Sequence, residues 1–560
     1  MAKRRRRKQN LNFKLLLVTA ALAAGAYFYS TRPTSVNAEL DSALIPERAS
    51  VADSNVWWQE GFGYRQELSF SLTTGNFVEL RFDHAAMVAA GKSNADGSDL
   101  HIVAQLNNAA DVVPFYLSEI NTASTKITFD GKKYPNAKYF LYYGNRKPPS
   151  ARVLGSSTAE SQATPAQLGN IVTPELQISS TRYWQVLQKG KLNLQISIVA
   201  PNLDMGPNTR LYYSLGEAEP KLVGKAPNSD GLLDIQLPSP QKGDQTIYLI
   251  AVQDGKYTRS NSLNIRISEP VFVAWTIDWE GYNVQDAVLQ RIDSIAGRYG
   301  LPMTHFFNPR IYVDRTIPEY RRTELTNWVK AREEKHKDEI GMHMHMQYDM
   351  VRAAGVEPVT SPRWGSGADG YDVLTSAYSY NQFRAIVQWG LDKFAEYGLP
   401  RPAGYRAGGW FASLDTIKAL NDLGFIYDSS GRETYKFGSQ NRQGLWSLDS
   451  KTQPYRPSSM NQNSPTPEPQ LNIWEVPNNG NDSYWFPVDH LIGRFYENYA
   501  TPGEFSSTPK IITYLSHPDW FDVDQPKLEA LFTEISKYSL TADKGPVVFT
   551  TISSALQEWQ

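Results

Sequence analysis

At 560 residues the chain is long enough for three or four domains rather than one core. With 41% hydrophobic and 20% charged residues it is neither a charge-rich disordered chain nor a polytopic membrane protein. The absence of cysteine excludes disulfides, thiolate metal sites, iron–sulfur clusters, cysteine nucleophiles and a lipidated N-terminal cysteine. The net charge of −2 hides an asymmetry, because eight basic residues and no acid precede Glu39 and leave 48 Lys+Arg against 58 Asp+Glu, a net −10, in the body.

The basic cluster Arg4 to Lys8 is followed by the apolar run LLLVTAALAAGAYFY, Leu15 to Tyr29, and by small residues at Val36-Asn37-Ala38. This order predicts a secretory signal over residues 1–38, or an uncleaved membrane anchor through residues 11–29. Either outcome exports the acidic body, to the periplasm, the cell surface or an anchored position outside the cytoplasm. The apolar run directly behind the arginines argues against nucleic acid as a partner.

From Tyr64 the pattern alternates apolar and polar residues in YRQELSFSL, NFVELRFDH and KYFLYYGN, which predicts a β-sandwich over 50–150. Tyr64-Arg65, the stretch from Asn94 to Leu100 and the ending Tyr142 to Asn145 resemble a bacterial extracytoplasmic β-sandwich domain of unassigned function, which implies an accessory or binding role. Residues 151–172, small and polar without periodicity, read as a linker. The runs KLNLQISIVA, TRLYYSLG, GLLDIQLP, QTIYLIAVQDG and SLNIRISEP then predict an immunoglobulin-like sandwich over 173–269, a spacer or carbohydrate-binding module.

From Val271 the rhythm changes to short apolar runs alternating with helical stretches, the β/α signature, and residues 270–560 are expected to form a barrel. The strand candidates are VFVAWTID, MTHFFN, EIGMHMH, GYRAG, FIYDSS, NIWEVP, IITYLSH and PVVFTTI. Their polar residues fall at the C-terminal ends: Asp278 and Glu280, Asn308, His343 and His345, Arg406, Asp428, Glu475 and Asn478, and His517. In a β/α barrel those ends converge on one mouth. His343 and His345 are two apart, so an extended segment turns both rings to one face. Two imidazoles and a carboxylate make a divalent-metal site with an open position, and nitrogen and oxygen donors without thiolates favour zinc. Asp278 and Glu280, also spaced by one, offer a ligand and a base. Arg406 is suited to holding one of these carboxylates in a fork-shaped contact, and His517 to protonating a leaving group.

The ordered set TIDWEG, MTHFFN, EIGMHMH, GYRAGGW, IYDSS and YLSH resembles the polysaccharide deacetylase family, carbohydrate esterase family 4. The resemblance covers residues 271–560 and implies a distorted (β/α) barrel that removes an acetyl group, usually from a hexosamine nitrogen, by metal-activated water. Two departures stand out. Trp279 separates the acids that the family places side by side, so Asp278 and Glu280 are both left as candidate base and candidate ligand. The family spaces its histidines by four, where this chain has Gln347, so His345 or Gln347 completes the metal set. Asp428 falls in the aspartate motif as a supporting residue, and Trp410 closes the arginine motif.

The expectation is therefore a multidomain chain of two all-β sandwiches and a C-terminal α/β barrel that deacetylates a cell-surface or extracellular polysaccharide with one divalent metal, zinc. The long loops 354–379 and 431–470, with Trp364, Tyr371, Tyr455 and Arg456, are candidates for a sugar groove. Two alternatives stay open: a catalytically inactive glycan-binding protein on the same barrel, and a glycosidase pairing Asp278 or Glu280 with Glu475.

Overall fold

The computed structural model describes Trp58 and residues 62–560, apart from 73–74, 107–108, 146–147, 149–152, 155–162, 173–175, 181, 201–208, 217, 226–230 and 254–255. The expected leader, with its candidate anchor at 11–29, lies outside the described residues. Among those residues no helix is long and apolar enough to cross a membrane.

The first β-rich region is one continuous ladder of eight strands. Its order is Ala109–Val113, His101–Leu106, Lys138–Tyr143, Tyr64–Ser69, Thr164–Val172, Phe77–Phe82, Thr125–Asp130 and Phe115–Ser118. Thr164–Val172 corrects the linker expectation, because it pairs antiparallel with Tyr64–Ser69 and parallel with Phe77–Phe82. Its place is set by backbone pairing, which needs no apolar alternation, and so its composition reads as linker. In the second region a sheet built on Arg210–Leu215, Gly243–Gln253 and Leu263–Ser268 faces a three-stranded sheet of Gly231–Pro238, Lys191–Val199 and Gln177–Ser179. Leu194 and Ile196 from the smaller sheet share one core with Leu211 and Leu249 from the larger.

The C-terminal region carries nine parallel strands, β1 (Val271–Asp278), β2 (Met303–Phe307), β3 (Glu339–Met344), β4 (Gly404–Ala407), β5 (Tyr427–Asp428), β6 (Trp474–Glu475), β7 (Asn481–Asp482), β8 (Lys510–Ser516) and β9 (Val547–Phe549). Their order is β6-β5-β4-β3-β2-β1-β8-β7, with β9 beside the first residues of β1. Among the described residues no ladder joins β6 to β7, so the sheet is a near-barrel. The central strands are buried along their length, as expected where helices cover a parallel sheet.

Helices α1 (Asp286–Tyr299), α2 (Glu319–His336), α3 (Tyr348–Ala353), α4 (Tyr380–Glu396), α5 (Leu414–Asp422), α6 (Val488–Tyr499), α7 (Phe521–Ile535) and α8 (Ile552–Leu556) connect the strands. In α1, Leu289, Ile292, Ile295 and Ala296 form the buried stripe, and left-handed Gly300 ends it. In α4, Ser379 and Gln382 form a reciprocal capping box. The two-residue β7 lies outside the strand candidates read from the sequence.

Candidate metal centre

The C-terminal ends of β1, β3, β4 and β8 bring Asp278, Glu280, His343, His345, Arg406 and His517 together. Arg406 is fully buried, and the other five line a cavity of about 230 Å³. Glu280 sits two residues past Asp278, His345 just past β3, and His517 just past β8, so the parallel register of neighbouring strands assembles the group.

His343 and His345 are each fixed by a backbone carbonyl. Nδ1 of His343 lies 2.9 Å from the carbonyl oxygen of Arg406, and Nδ1 of His345 lies 2.9 Å from that of Tyr371. A carbonyl only accepts, so each Nδ1 carries the proton and each Nε2 can turn a lone pair toward the cavity. Glu280 Oε2 lies 2.8 Å from His345 Nε2 and 3.9 Å from His343 Nε2. Neither Glu280 Oε2 nor His343 Nε2, both buried, has a partner in good hydrogen-bond geometry within the protein.

The donor atoms of Glu280, His343 and His345 lie within 4.8 Å of one another. Metal–ligand bonds of 2.0–2.1 Å at tetrahedral angles place donors ~3.3 Å apart, between the two separations observed. These buried donors, two imidazoles and one carboxylate, fit a divalent cation. Gln347 falls outside this group: its Nε2 donates to the Glu280 carbonyl at 3.2 Å and braces the backbone. Burial opposes the charge on Glu280, but His345 and His343 together hold its carboxyl well below the usual range.

Close approach at His345 depends on Gly408. A Cβ there would come within 2.6 Å of His345 Nδ1, so the glycine lets the β4 turn pass against the imidazole. On the other face Tyr371 stacks on His345, 3.9 Å between ring centroids and 6° from parallel.

Asp278 stands apart from the donor trio. Arg406 Nη1 donates to its Oδ1 at 2.9 Å and to Thr276 Oγ1 at 2.7 Å. Nε and Nη2 of Arg406 donate to the Ser429 carbonyl at 2.9 Å and the Ser429 hydroxyl at 2.8 Å, and the guanidinium lies 4.3 Å above the Phe306 ring. These contacts fix one carboxylate oxygen and leave Oδ2 facing His343 at 3.8 Å.

His517 approaches from the opposite side, Nε2 3.5 Å from Glu280 Oε1 and Nδ1 3.7 Å from Asp482 Oδ1. Burial disfavours its imidazolium, but Asp482, Glu280, Asp524 and Asp278 outweigh burial and push its pKa up to about 9. Asp482, on the two-residue β7, was not anticipated. The signal for it was weak: the run Asn478 to Asp482 is polar and turn-like, too short for periodicity.

Several expected residues lie elsewhere. Asn308 caps a short turn by accepting from the Arg310 N–H, and Asn478 donates to the Thr513 carbonyl. Asp428 and Glu475 face each other on β5 and β6, behind Arg406. Trp364, Tyr371 and Trp410 line the cavity. Tyr455 and Arg456 are corrections. The Tyr455 hydroxyl donates to the Gln462 carbonyl, while Arg456 sits 5.0 Å over Trp474 and bonds Asn472. Their segment bridges to Glu475 at the sheet edge instead of the mouth. Phe437, Tyr484, Trp485, Leu515 and Trp520 line the cavity without having been singled out.

No family model and no curated protein matches the sequence. The solved structures to which the chain is similar are polysaccharide deacetylases and family 4 carbohydrate esterases. A polysaccharide deacetylase from Mycobacterium smegmatis aligns at 14% identity over 52% of this chain and 90% of that one, with a TM-score of 0.31. A family 4 carbohydrate esterase from Streptomyces lividans, solved with acetate, aligns at 12% identity over 50% of this chain and 93% of that one, with a TM-score of 0.27. A family 4 acetyl xylan esterase from Clostridium thermocellum, solved with a cobalt ion, aligns at 10% identity over 51% and 90%, with a TM-score of 0.26.

Proposed function

We propose that the chain is an exported, metal-dependent hydrolase that removes acetyl groups from a cell-surface or extracellular polysaccharide. One observation carries the reading. Three buried donors, Glu280, His343 and His345, face one another between an arginine-held carboxylate, Asp278, and a histidine flanked by carboxylates, His517. A carboxylate-pair glycosidase leaves these imidazoles without a role.

In this reading Glu280, His343 and His345 hold the metal and Asp278 is the base. A divalent cation bound there, zinc by donor type, supplies Lewis acidity for the acetyl carbonyl oxygen and acidifies water. Asp278 takes the proton of the attacking water through Oδ2, while Arg406 holds Oδ1 and fixes the direction of the carboxylate. The His517 imidazolium gives its proton to the departing amine or alkoxide, so that acetate and a free amine or hydroxyl leave. Asp482 behind Nδ1 supports the charged form. The two β-rich regions serve as accessory modules that hold the 270–560 barrel near glycan, and the N-terminal residues direct export or anchoring.

The test is acetate release from N-acetylated and O-acetylated glycans, before and after chelation and zinc restoration, in the wild type and in His343→Ala. Release is expected to stop on chelation, return with zinc, and be lost in the variant. Release unaffected by both treatments would overturn the mechanism.

A further inference from the structure

The rim of the cavity is a continuous run of ring contacts that the proton transfers do not use. Tyr371, stacked on His345, meets Trp364 at 6.0 Å, and Trp364 meets Phe437 at 5.6 Å. Phe437 meets Trp485 at 5.6 Å, Trp485 meets Tyr484 at 5.1 Å, and Tyr484 meets Trp520 at 5.1 Å. Trp520 then reaches His517 at 4.8 Å. The run closes through Glu280, which lies 2.8 Å from His345 and 3.5 Å from His517.

These six aromatic side chains come from four separate segments, following β3, β5, β7 and β8. Their joining into one collar is therefore a property of the fold and not of any local sequence. A groove that threads a polymer needs two open ends, and the ring contacts that run from His345 round to His517 bar that path on their side of the cavity. The cavity volume of about 230 Å³ lies below the ~300–1,000 Å³ usual for larger ligands and suits a single sugar ring.

Trp485 is the exposed member, with 57% of its surface in solvent. It meets Phe437 and Tyr484 edge to face, at 73° and 90°, so neither of these rings stacks face to face on it. An indole held in place with surface in water is suited to cover the apolar face of a pyranose.

We infer that the collar is a socket for one acetylated pyranose entering end-on, so that the substrate is a chain end or a short oligosaccharide and not an internal unit of a threaded polymer. This inference rests on the proposed deacetylase reading for the acetyl group, and on the collar alone for the shape of the ligand.

The experiment is tryptophan-fluorescence titration of the full chain with N-acetylglucosamine oligomers of one to six units, using wild type, Trp485→Ala and Trp485→Phe. Affinity is expected to level off by the second unit. Trp485→Ala should weaken it about tenfold, and Trp485→Phe, which keeps a stacking face, only about two- to threefold. Because Trp485 is mostly exposed, these variants test the contact without removing core packing. Affinity that climbs with every added unit, an unchanged Trp485→Ala, or no quenching by any oligomer would overturn the socket. Acetate release is read separately on the zinc-loaded protein: saturating binding without release would overturn the hydrolytic reading and leave the socket standing.

Discussion

The strongest structural commitment at the site is the burial of Arg406, and replacing it by methionine tests whether the guanidinium exists to hold Asp278. Methionine fills much of the same volume and rests on Phe306, but it removes four hydrogen bonds, to Asp278, Thr276 and twice to Ser429. The main cost is the carboxylate left alone in a site where only 4% of its side chain is exposed. Stranding one member of a buried ion pair costs about 3–5 kcal/mol. For a region of roughly 290 residues, an unfolding entropy of ~2.1 cal/mol/K per residue converts this to a midpoint about 5–8 °C lower. Eleven of the 14 tryptophans follow residue 270, so thermal unfolding followed by tryptophan fluorescence reports mainly on this region. Adding Asp278→Asn removes the stranded charge, and the double variant should recover at least ~2 kcal/mol, or about 3 °C. Zinc uptake should survive in Arg406→Met, because His343 is held by the backbone carbonyl of residue 406 and not by its side chain. A midpoint within about 2 °C of wild type, or a double variant no more stable than the single, would refute the assignment.

Two further outcomes concern proton balance. His517→Gln should lower acetate release about 10²–10⁴-fold while leaving the zinc-dependent rise in thermal midpoint intact. Asp482→Asn removes the anion that does most to keep His517 charged, so its pKa falls. The alkaline limb of the rate should then move to lower pH, and a limb that stays put would disqualify His517 as the acid. The Asp428–Glu475 pair gives a stability test. Burial, opposed in part by hydrogen bonds, pushes Asp428 up to about 6, and burial with the neighbouring Asp428 raises Glu475 well above its usual value. Both acids bind protons more tightly folded than unfolded, so stability is greatest below about pH 4 for this pair and declines as pH rises from about 4 through 6 and beyond. Glu475→Gln keeps an oxygen for the Gly431 N–H, 2.7 Å from Oε1, and offers Asp428 a permanent donor. Thermal midpoints between pH 4 and 8 should therefore fall less in this variant, and an equal fall would rule the pair out as the source.

What the sequence made legible about the site follows from register. On β1, β3 and β8 the apolar run is long enough to be read as a buried parallel strand, the four-residue β4 is marked instead by its GYRAGGW motif, and parallel neighbours bring their last residues to one level. The sequence alone thus groups Asp278, Glu280, His343, His345, Arg406 and His517. The same rule picked Asp428 and Glu475, which also end strands, but β5 and β6 are two residues long in the ladder. A segment that short carries no alternation to say which side faces the mouth, and these two acids face each other behind Arg406. The linker reading of residues 151–172 fails over Thr164–Val172 for a related reason. Thr164–Val172 is placed by backbone pairing on both edges, with Gly169 against the Glu67 carbonyl where the register shifts, so side-chain pattern had little to report.

Tyr455 and Phe437 mark the point beyond which composition stops informing. Both are aromatic residues of one long loop, and aromatic content alone nominated Tyr455. The bridge from Tyr455 to Glu475 ties that part of the loop to the outer sheet edge. The small hairpin joining Lys436–Phe437 to Arg442–Gln443 instead carries Phe437 to the cavity, where it meets Trp364 and Trp485 from two other segments. Catalytic donors are positioned by strands, whose geometry the sequence encodes locally, whereas the collar depends on where four loops return. In the proposed reading the donor set constrains the reaction class and the collar constrains which acetylated glycans reach it; neither Arg406→Met nor chelation should change the oligomer length at which affinity levels off. That independence separates the two claims experimentally: loss of zinc must abolish turnover while leaving the length profile of binding in place.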